Sequence, residues 1–281
     1  MSETIDAVVV PPRPFLKWVG GKTSLLPELL KRAPAKIQNY VEPFVGAGAL
    51  FWALRPRIVG RVLLSDANPE LCAAYRGVRD DVSEVVKQLR HYEGKHSRDW
   101  FLWVRQLDYQ GETDAFAAAR MIYLNKTCFN GLYRVNSKGH FNVPFGSHPK
   151  TLTICDEANL RNCSSALQGV EVKCCDYRKS LLQAERGDFA YLDPPYIPLT
   201  KTSNFTSYTA GKFDMDDQER LAKEIRKIRC RGVDFILTNS GSAETLRLYD
   251  GLKFTIEKVP SRRRVSCKGD KREDVMDYVI S

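Results

Sequence analysis

The chain has 281 residues, 43 Lys and Arg against 34 Asp and Glu, a formal charge of +9 and a pI of about 9.1. That length suits one large α/β domain or a domain with a sizeable insertion, and the positive balance favours a polyanionic partner. No apolar run is long enough to span a bilayer. The eight cysteines hold no Cys-x-x-Cys pair and the four histidines are dispersed, so a structural metal is not expected.

The N-terminal "MSETIDAVVVPPRP" carries only a short apolar patch after acids, unlike a secretory signal, and free thiols fit a reducing, cytoplasmic setting. "NYVEPFVG" (39–46) reads as a buried strand running into a glycine loop, with a helix opening at "ALFWAL". "RVLLSD" (61–66) is a second strand. The helix "NPELCAAYRGV" follows, with Asn68 as its cap and Pro69 in its first turn. Residues 79–168 break this rhythm. They read as helices ("DDVSEVVKQLRHYE", "SRDWFLWVRQLDY", "DAFAAARMIYLNK") plus a hairpin signature in "YRVNSKGHFNVPFG".

Strands resume at "VEVKCCD" (170–176), "DFAYLD" (188–193), "VDFILTNS" (233–240), "FTIEKV" (254–259) and "DVMDYVIS" (274–281). An amphipathic helix ending at Gly232 precedes the third of these. Alternating strands and helices predict a parallel sheet covered on both faces, closed by an antiparallel pair too close in sequence for a crossover helix. The polar stretch 197–213 reads as a loop. "SRRRVSCKGDKRE" reads as a solvated hairpin tip whose arginines also suit phosphate.

Three stretches carry chemistry. In "EPFVGAG" (42–48), glycines between a strand and a helix let backbone approach a ligand, and Asp66 ends the next strand about 20 residues on, where an acid takes ribose hydroxyls. The full G-x-G-x-x-G is missing, so an adenosine cofactor without a pyrophosphate fits better than a dinucleotide. "FLKWVGGKTS" (15–24) lacks the first glycine of a phosphate-binding loop. It offers Trp18 for stacking on a purine, or for the core, and Lys22 for a carboxylate. In "DPPY" (193–196), a carboxylate at a strand's C-terminal end is followed by two stiff residues and an aromatic face. The Asp193 carboxylate and the Pro194 carbonyl match the two N–H donors of an adenine amine, and Tyr196 offers a stacking plane.

"FLKWVGGK", "EPFVGAG", "NKTCFNGLYRVNSKGHFNVPFG" and "DPPY" together resemble the Dam-type DNA adenine N6-methyltransferases (class alpha, the D12 family), over nearly the whole chain. The resemblance implies S-adenosylmethionine as methyl donor and a Rossmann-like seven-stranded α/β sheet with an inserted, mainly helical target-recognition domain carrying a β-hairpin. The catalytic domain would comprise 1–78 and 169–281, and the recognition domain 79–168. The resemblance further implies that Trp18 and Lys22 lie in the cofactor pocket. Glu42, Gly46 and Gly48 would line the methionine side, Asp66 would hold the ribose, and Asp176 would accept from the cofactor adenine. Asp193, between cofactor and target, would be catalytic with Pro194 and Tyr196. Phe129 and Asn130 would fill the site of a flipped base, while Leu132, Arg134, Pro144 and Lys17 would read base edges, with GATC as the implied target. Arg134 suits bidentate contact to guanine, or a phosphate.

The expected partner is duplex DNA, with no metal and no membrane, and the expected state is a monomer or weak dimer on the nucleoid. The rival readings are a DNA-binding regulator without turnover, and methylation of RNA or of a protein glutamine.

Overall fold

Strands that are apolar on successive residues need cover on both faces, and this chain supplies it with ten helices among the described residues. The computed structural model describes residues 11–147, 152–196, 213–251, 254–261 and 275–281. The N-terminal patch, the stretch 197–212 and the basic segment 262–274 lie outside the described residues.

In chain order the first half holds α1 (Leu26–Arg32), β1 (Tyr40–Glu42), α2 (Ala49–Leu54), β2 (Val62–Asp66), α3 (Pro69–Asp80), α4 (Val82–Gly94), α5 (Arg98–Gln106), α6 (Asp114–Thr127) and α7 (Glu157–Leu167). The second half holds β3 (Val170–Cys174), α8 (Tyr177–Leu181), β4 (Phe189–Leu192), α9 (Met215–Cys230), β5 (Asp234–Ser240), α10 (Ala243–Tyr249), β6 (Ile256–Ser261) and β7 (Val275–Ile280). Local signals set the ends. The Asn68 side chain accepts from the Leu71 amide to open α3, and Asp214 and Asp217 form a reciprocal capping box on α9.

The sheet has seven strands in the order β3-β2-β1-β4-β5-β7-β6, parallel except for β7, which pairs antiparallel with both β5 and β6. This is the doubly wound methyltransferase arrangement expected from the sequence. The predicted closing pair is present, with β7 threaded between β5 and β6. Chain direction across the sheet switches between β1 and β4, and ligands of open α/β sheets bind at that crevice, beyond the strands' C-terminal ends.

Period-two alternation divides the interior into two cores. Tyr40, Phe189, Tyr191 and Ile236 face one, and Val41, Ala190, Leu192 and Leu237 face the other, under α8, α9 and α10. The first core continues from the sheet through α2 and α3 into α4–α7, so the helices of 79–168 share apolar packing with the sheet side. Gly77 of α3 lies against the Asp114 carbonyl at the start of α6, with no room for a Cβ. A buried Glu70–Arg120 ion pair joins the same two helices.

The predicted "NSKG" hairpin forms, but as two isolated antiparallel bridges, Val135 with Phe141 and Cys128 with Phe145. The Asn136 side chain takes the Lys138 amide in the turn and the His140 amide that the next rung would use, and Pro144 has no amide to give.

Candidate active site

The glycine loop turns out of β1 into α2 with Gly46 at φ +48 and Gly48 at φ +67. Space as well as conformation requires both. A Cβ on Gly46 would stand 2.8 Å from the Trp18 indole, and one on Gly48 would stand 2.7 Å from the Tyr75 hydroxyl. The Gly46 amide donates to Asp66 Oδ2 at 3.2 Å, and the Asn68 amide to Oδ1 at 3.0 Å. Trp18, Gly46 and Asp66 therefore form one edge of the crevice.

Glu42, at the end of β1, is buried and accepts from the Tyr40 hydroxyl at 2.8 Å. Burial holds its carboxyl well above the usual range, against the pull of Tyr40, and the charges of Asp193 and Asp66 add to the rise. Burial also raises Asp66, against the backbone amides of Asn68, Gly46 and Ala67.

Asp193 follows β4 at the switch point. Its Oδ1 accepts from Lys22 Nζ at 2.7 Å and from the Thr238 hydroxyl at 2.7 Å. The Lys22 and Asp193 side chains are 8% and 19% exposed, so the pair is little screened. Burial raises the Asp193 pKa, opposed by Lys22 and Thr238.

Lys22 Nζ also lies 4.4 Å from the centre of the Tyr196 ring, so one ammonium touches both the acid and the aromatic plane of "DPPY". The Tyr196 hydroxyl donates to Asp277 Oδ2 at 3.3 Å. Burial, with the Asp193 and Asp277 charges, keeps that phenol protonated well past its ordinary range. Gln218 Nε2 donates to the Pro195 carbonyl at 2.7 Å and is itself held by Asn239 at 3.0 Å. Among the described residues no hydrogen bond reaches Asp193 Oδ2 or the Pro194 carbonyl. Two acceptors are thus left open beside an aromatic ring.

The stretch from Cys128 to Gly146 meets this crevice at Trp18. Tyr133 stacks on the indole at 5.4 Å, and its hydroxyl donates to Glu70 at 2.9 Å. Asn125 ties the two segments together: its Oδ1 accepts from the Lys17 amide at 2.7 Å, and its Nδ2 donates to the Lys17 and Gly131 carbonyls. The Lys17 side chain packs on Gly131.

Phe129 is 46% exposed, its amide donates to the Pro144 carbonyl at 2.9 Å, and Asn130 sits in the left-handed region at φ 55. Leu132 is partly buried against the first core. Arg134 is exposed, and its guanidinium is aimed by Asn142, with Nε on Oδ1 at 2.7 Å and Nη2 on the carbonyl at 3.2 Å.

The structure therefore brings Trp18, Lys22, Glu42, Gly46, Gly48, Asp66, Asp193, Pro194 and Tyr196 to one crevice. Lys17, Phe129, Asn130, Leu132, Arg134 and Pro144 lie on one adjoining stretch. Asp176 stands apart in role: its carboxylate caps α8 and pairs with Arg178 at 2.7 Å.

Sequence reasoning missed Thr238, Asn125, Tyr133 and Asn142, each of which holds a named site residue in place, and Gln218, which holds the Pro195 carbonyl between two of them. No group of His, Cys, Asp and Glu suited to a metal occurs among the described residues, nor a helix long and apolar enough to cross a membrane.

The model of the D12 class N6 adenine-specific DNA methyltransferases matches residues 18–265. The chain is 41% identical to the type II methyltransferase M.MjaIII of Methanocaldococcus jannaschii, over 93% of this chain and 96% of that one. It is 37% identical to the type II methyltransferase M1.LlaDCHI of Lactococcus lactis, over 96% and 95%. It is 34% identical to a DNA adenine methylase of Vibrio cholerae, over 94% and 93%.

Proposed function

The chain belongs to the D12 class of N6 adenine-specific DNA methyltransferases, and from that premise we propose that it flips an adenine out of duplex DNA, within GATC, and methylates it from S-adenosylmethionine. The observation that carries this reading is the Asp193 carboxylate, anchored through Oδ1 while Oδ2 and the Pro194 carbonyl await donors. An adenine amine has two N–H groups and a lone pair delocalised into its ring. Accepting both N–H groups at fixed points draws the nitrogen toward tetrahedral geometry and frees the lone pair. Tyr196 supplies the stacking face. The high pKa of Tyr196 makes it a platform and not a base.

The residues suit the proposed cofactor. Gly46 leaves no room for a Cβ against the Trp18 indole and gives its amide to the Asp66 carboxylate, so backbone, indole and acid stand together. Trp18 would stack on the cofactor adenine, with Lys22 in the same pocket; Asp66 would hold the ribose, and Glu42, Gly46 and Gly48 the methionine end. When bound, S-adenosylmethionine supplies an electrophilic methyl group on a sulfonium. Asp176, already occupied as a helix cap, is proposed as an accessory contact to the cofactor adenine.

Residues 79–168 are read as the recognition unit on duplex DNA. Phe129 and Asn130 fill the gap left by the base. Arg134, Leu132, Pro144 and Lys17 face base edges. The enzyme is proposed to act as a monomer or weak dimer on the nucleoid in the cytoplasm.

Transfer of a tritiated methyl group to duplex DNA tests the chemistry, and Asp193→Ala is expected to lower it at least ~10²–10³-fold, as for loss of a directed transition-state contact, while leaving the thermal melt near that of the parent. An active Asp193→Ala would sink the reading. Plasmid from expressing cells, cut with a nuclease blocked by adenine methylation, tests the target: fully cleavable GATC sites exclude GATC.

A further inference from the structure

Thr238 lies on β5, where Leu237 pairs with Leu192 of β4, so the next pair along the parallel register sets Thr238 beside Asp193. It is fully buried. Its hydroxyl has one proton, and at 2.7 Å from Asp193 Oδ1 that proton belongs to the carboxylate. The Tyr191 hydroxyl, 3.3 Å from the same Oγ1, must therefore donate to Thr238. The result is a one-way relay, Tyr191 to Thr238 to Asp193, built inside the core.

We propose that Thr238 is a positioning residue for methyl transfer: it locks the Asp193 carboxylate through Oδ1 so that Oδ2 is presented to the adenine amine. The proposal rests on the reading of Asp193 as amine acceptor. Lys22 cannot give the same orientation alone. Its ammonium is a point charge shared with the Gly20 carbonyl and the Tyr196 ring, whereas a β-branched threonine has a stiff χ1 and a single aimed donor.

The hydroxyl also favours the ionised acid that amine acceptance requires. The groups facing Asp193 are Lys22 before α1, Glu42 of β1, Tyr191 and Tyr196 on its own segment, Thr238 of β5 and Asp277 of β7. Of these, Lys22 and Thr238 act against the rise caused by burial, and Asp277 acts with it. Activity that needs ionised Asp193 falls as pH drops through its pKa. Removing the hydroxyl raises that pKa, so the acid limb moves to higher pH.

The test compares the full-length enzyme with Thr238→Val, Thr238→Ser and Thr238→Ala on a duplex that the parent methylates. Thr238→Val is expected to lower kcat about 10–100-fold, the scale of a misplaced reacting group, with KM for DNA and for the methyl donor within about twofold of the parent on the same argument. Its acid limb should move upward in pH, and Thr238→Ser should restore most of both. If Thr238→Val does not fold, the Ser and Ala variants differ only in the hydroxyl, and a kcat ratio of about ten or more is expected on the same scale.

Parent-like kcat and acid limb in Thr238→Val, or equal rates for Ser and Ala, overturn the proposal. An active Asp193→Ala removes its premise instead. An inactive Asp193→Ala beside a normal Thr238→Val condemns the role of Thr238 alone.

Discussion

The crevice around Asp193 and the stretch from Cys128 to Gly146 meet at Trp18 and are built by opposite means. In the crevice each acid is taken out of water and then held from behind. Tyr40 holds Glu42, two backbone amides hold Asp66, and Lys22 and Thr238 hold Asp193. In the second stretch Phe129, Asn130, Arg134 and Pro144 stay exposed, and asparagines hold it from the protein side: Asn125 on the Gly131 carbonyl, Asn142 on the Arg134 guanidinium. Aiming a poor nucleophile requires fixed acceptors in a dry site, where dipoles act strongly. Reading base edges requires side chains that can leave water for DNA, so burying them would defeat the purpose.

The largest effect is expected where the two regions are joined. Glu70 accepts from Tyr133, which backs Trp18, and pairs with Arg120 on α6, with both members of the ion pair almost fully buried. Burial raises the Glu70 pKa even against the Arg120 charge. Arg120→Met would leave a buried carboxylate with only a phenol for company, and is expected to cost about 3–5 kcal/mol. Urea denaturation measures it. Adding Glu70→Leu should recover much of the loss, because the uncompensated charge goes with it. A parent-like midpoint for Arg120→Met would mean that the two regions are not joined through this pair.

Trp18 sharpens the comparison next, because it belongs to both regions. Trp18→Ala is expected to weaken cofactor binding by about 1–3 kcal/mol, the scale of losing a base-stacking aromatic, as read by calorimetry without DNA. If cofactor affinity is unchanged and only discrimination between DNA sequences falls, Trp18 serves the recognition stretch through Tyr133 and the crevice must be redrawn around Gly46 and Asp66.

The same division explains what could be read in advance. The strands, the glycine loop and "DPPY" were legible because each is a local signal: an apolar run, a residue type that φ > 0 demands, a carboxylate before two prolines. The hairpin signature was legible too, but not its reduction to isolated bridges, where the Asn136 side chain takes the His140 amide and Pro144 has none to give. Thr238, Gln218 and Asn125 were illegible because their roles come from register and packing. Thr238 is one threonine in a buried strand until β4 and β5 are known to pair at Leu192 and Leu237. Asn125 looks like any polar residue late in a helix until Lys17, far away in sequence, comes to lie on it. Asp176 carries a second role that its sequence context did not announce. An acid ending a strand suggests a ligand, yet here it also begins a helix, and the α8 amide and Arg178 use its oxygens.

The smallest expected effect separates a reader from the residue that aims it. Arg134→Ala should lose about 1–3 kcal/mol of discrimination at one base pair, the worth of a bidentate guanine contact. Asn142→Ala removes the Oδ1 partner of Nε but keeps the backbone carbonyl that Nη2 uses, so the guanidinium is held by one bond instead of two. Its cost should therefore be the smaller, about 0.5–1.5 kcal/mol, the net worth of an ordinary intramolecular hydrogen bond. It should fall on the same base pair. Competition between a cognate duplex and single-substitution duplexes measures both variants in one assay. Equal losses from the two would place Asn142 itself on the base edge. A loss spread evenly over all sequences, with a shallower salt dependence, would move Arg134 to the phosphates.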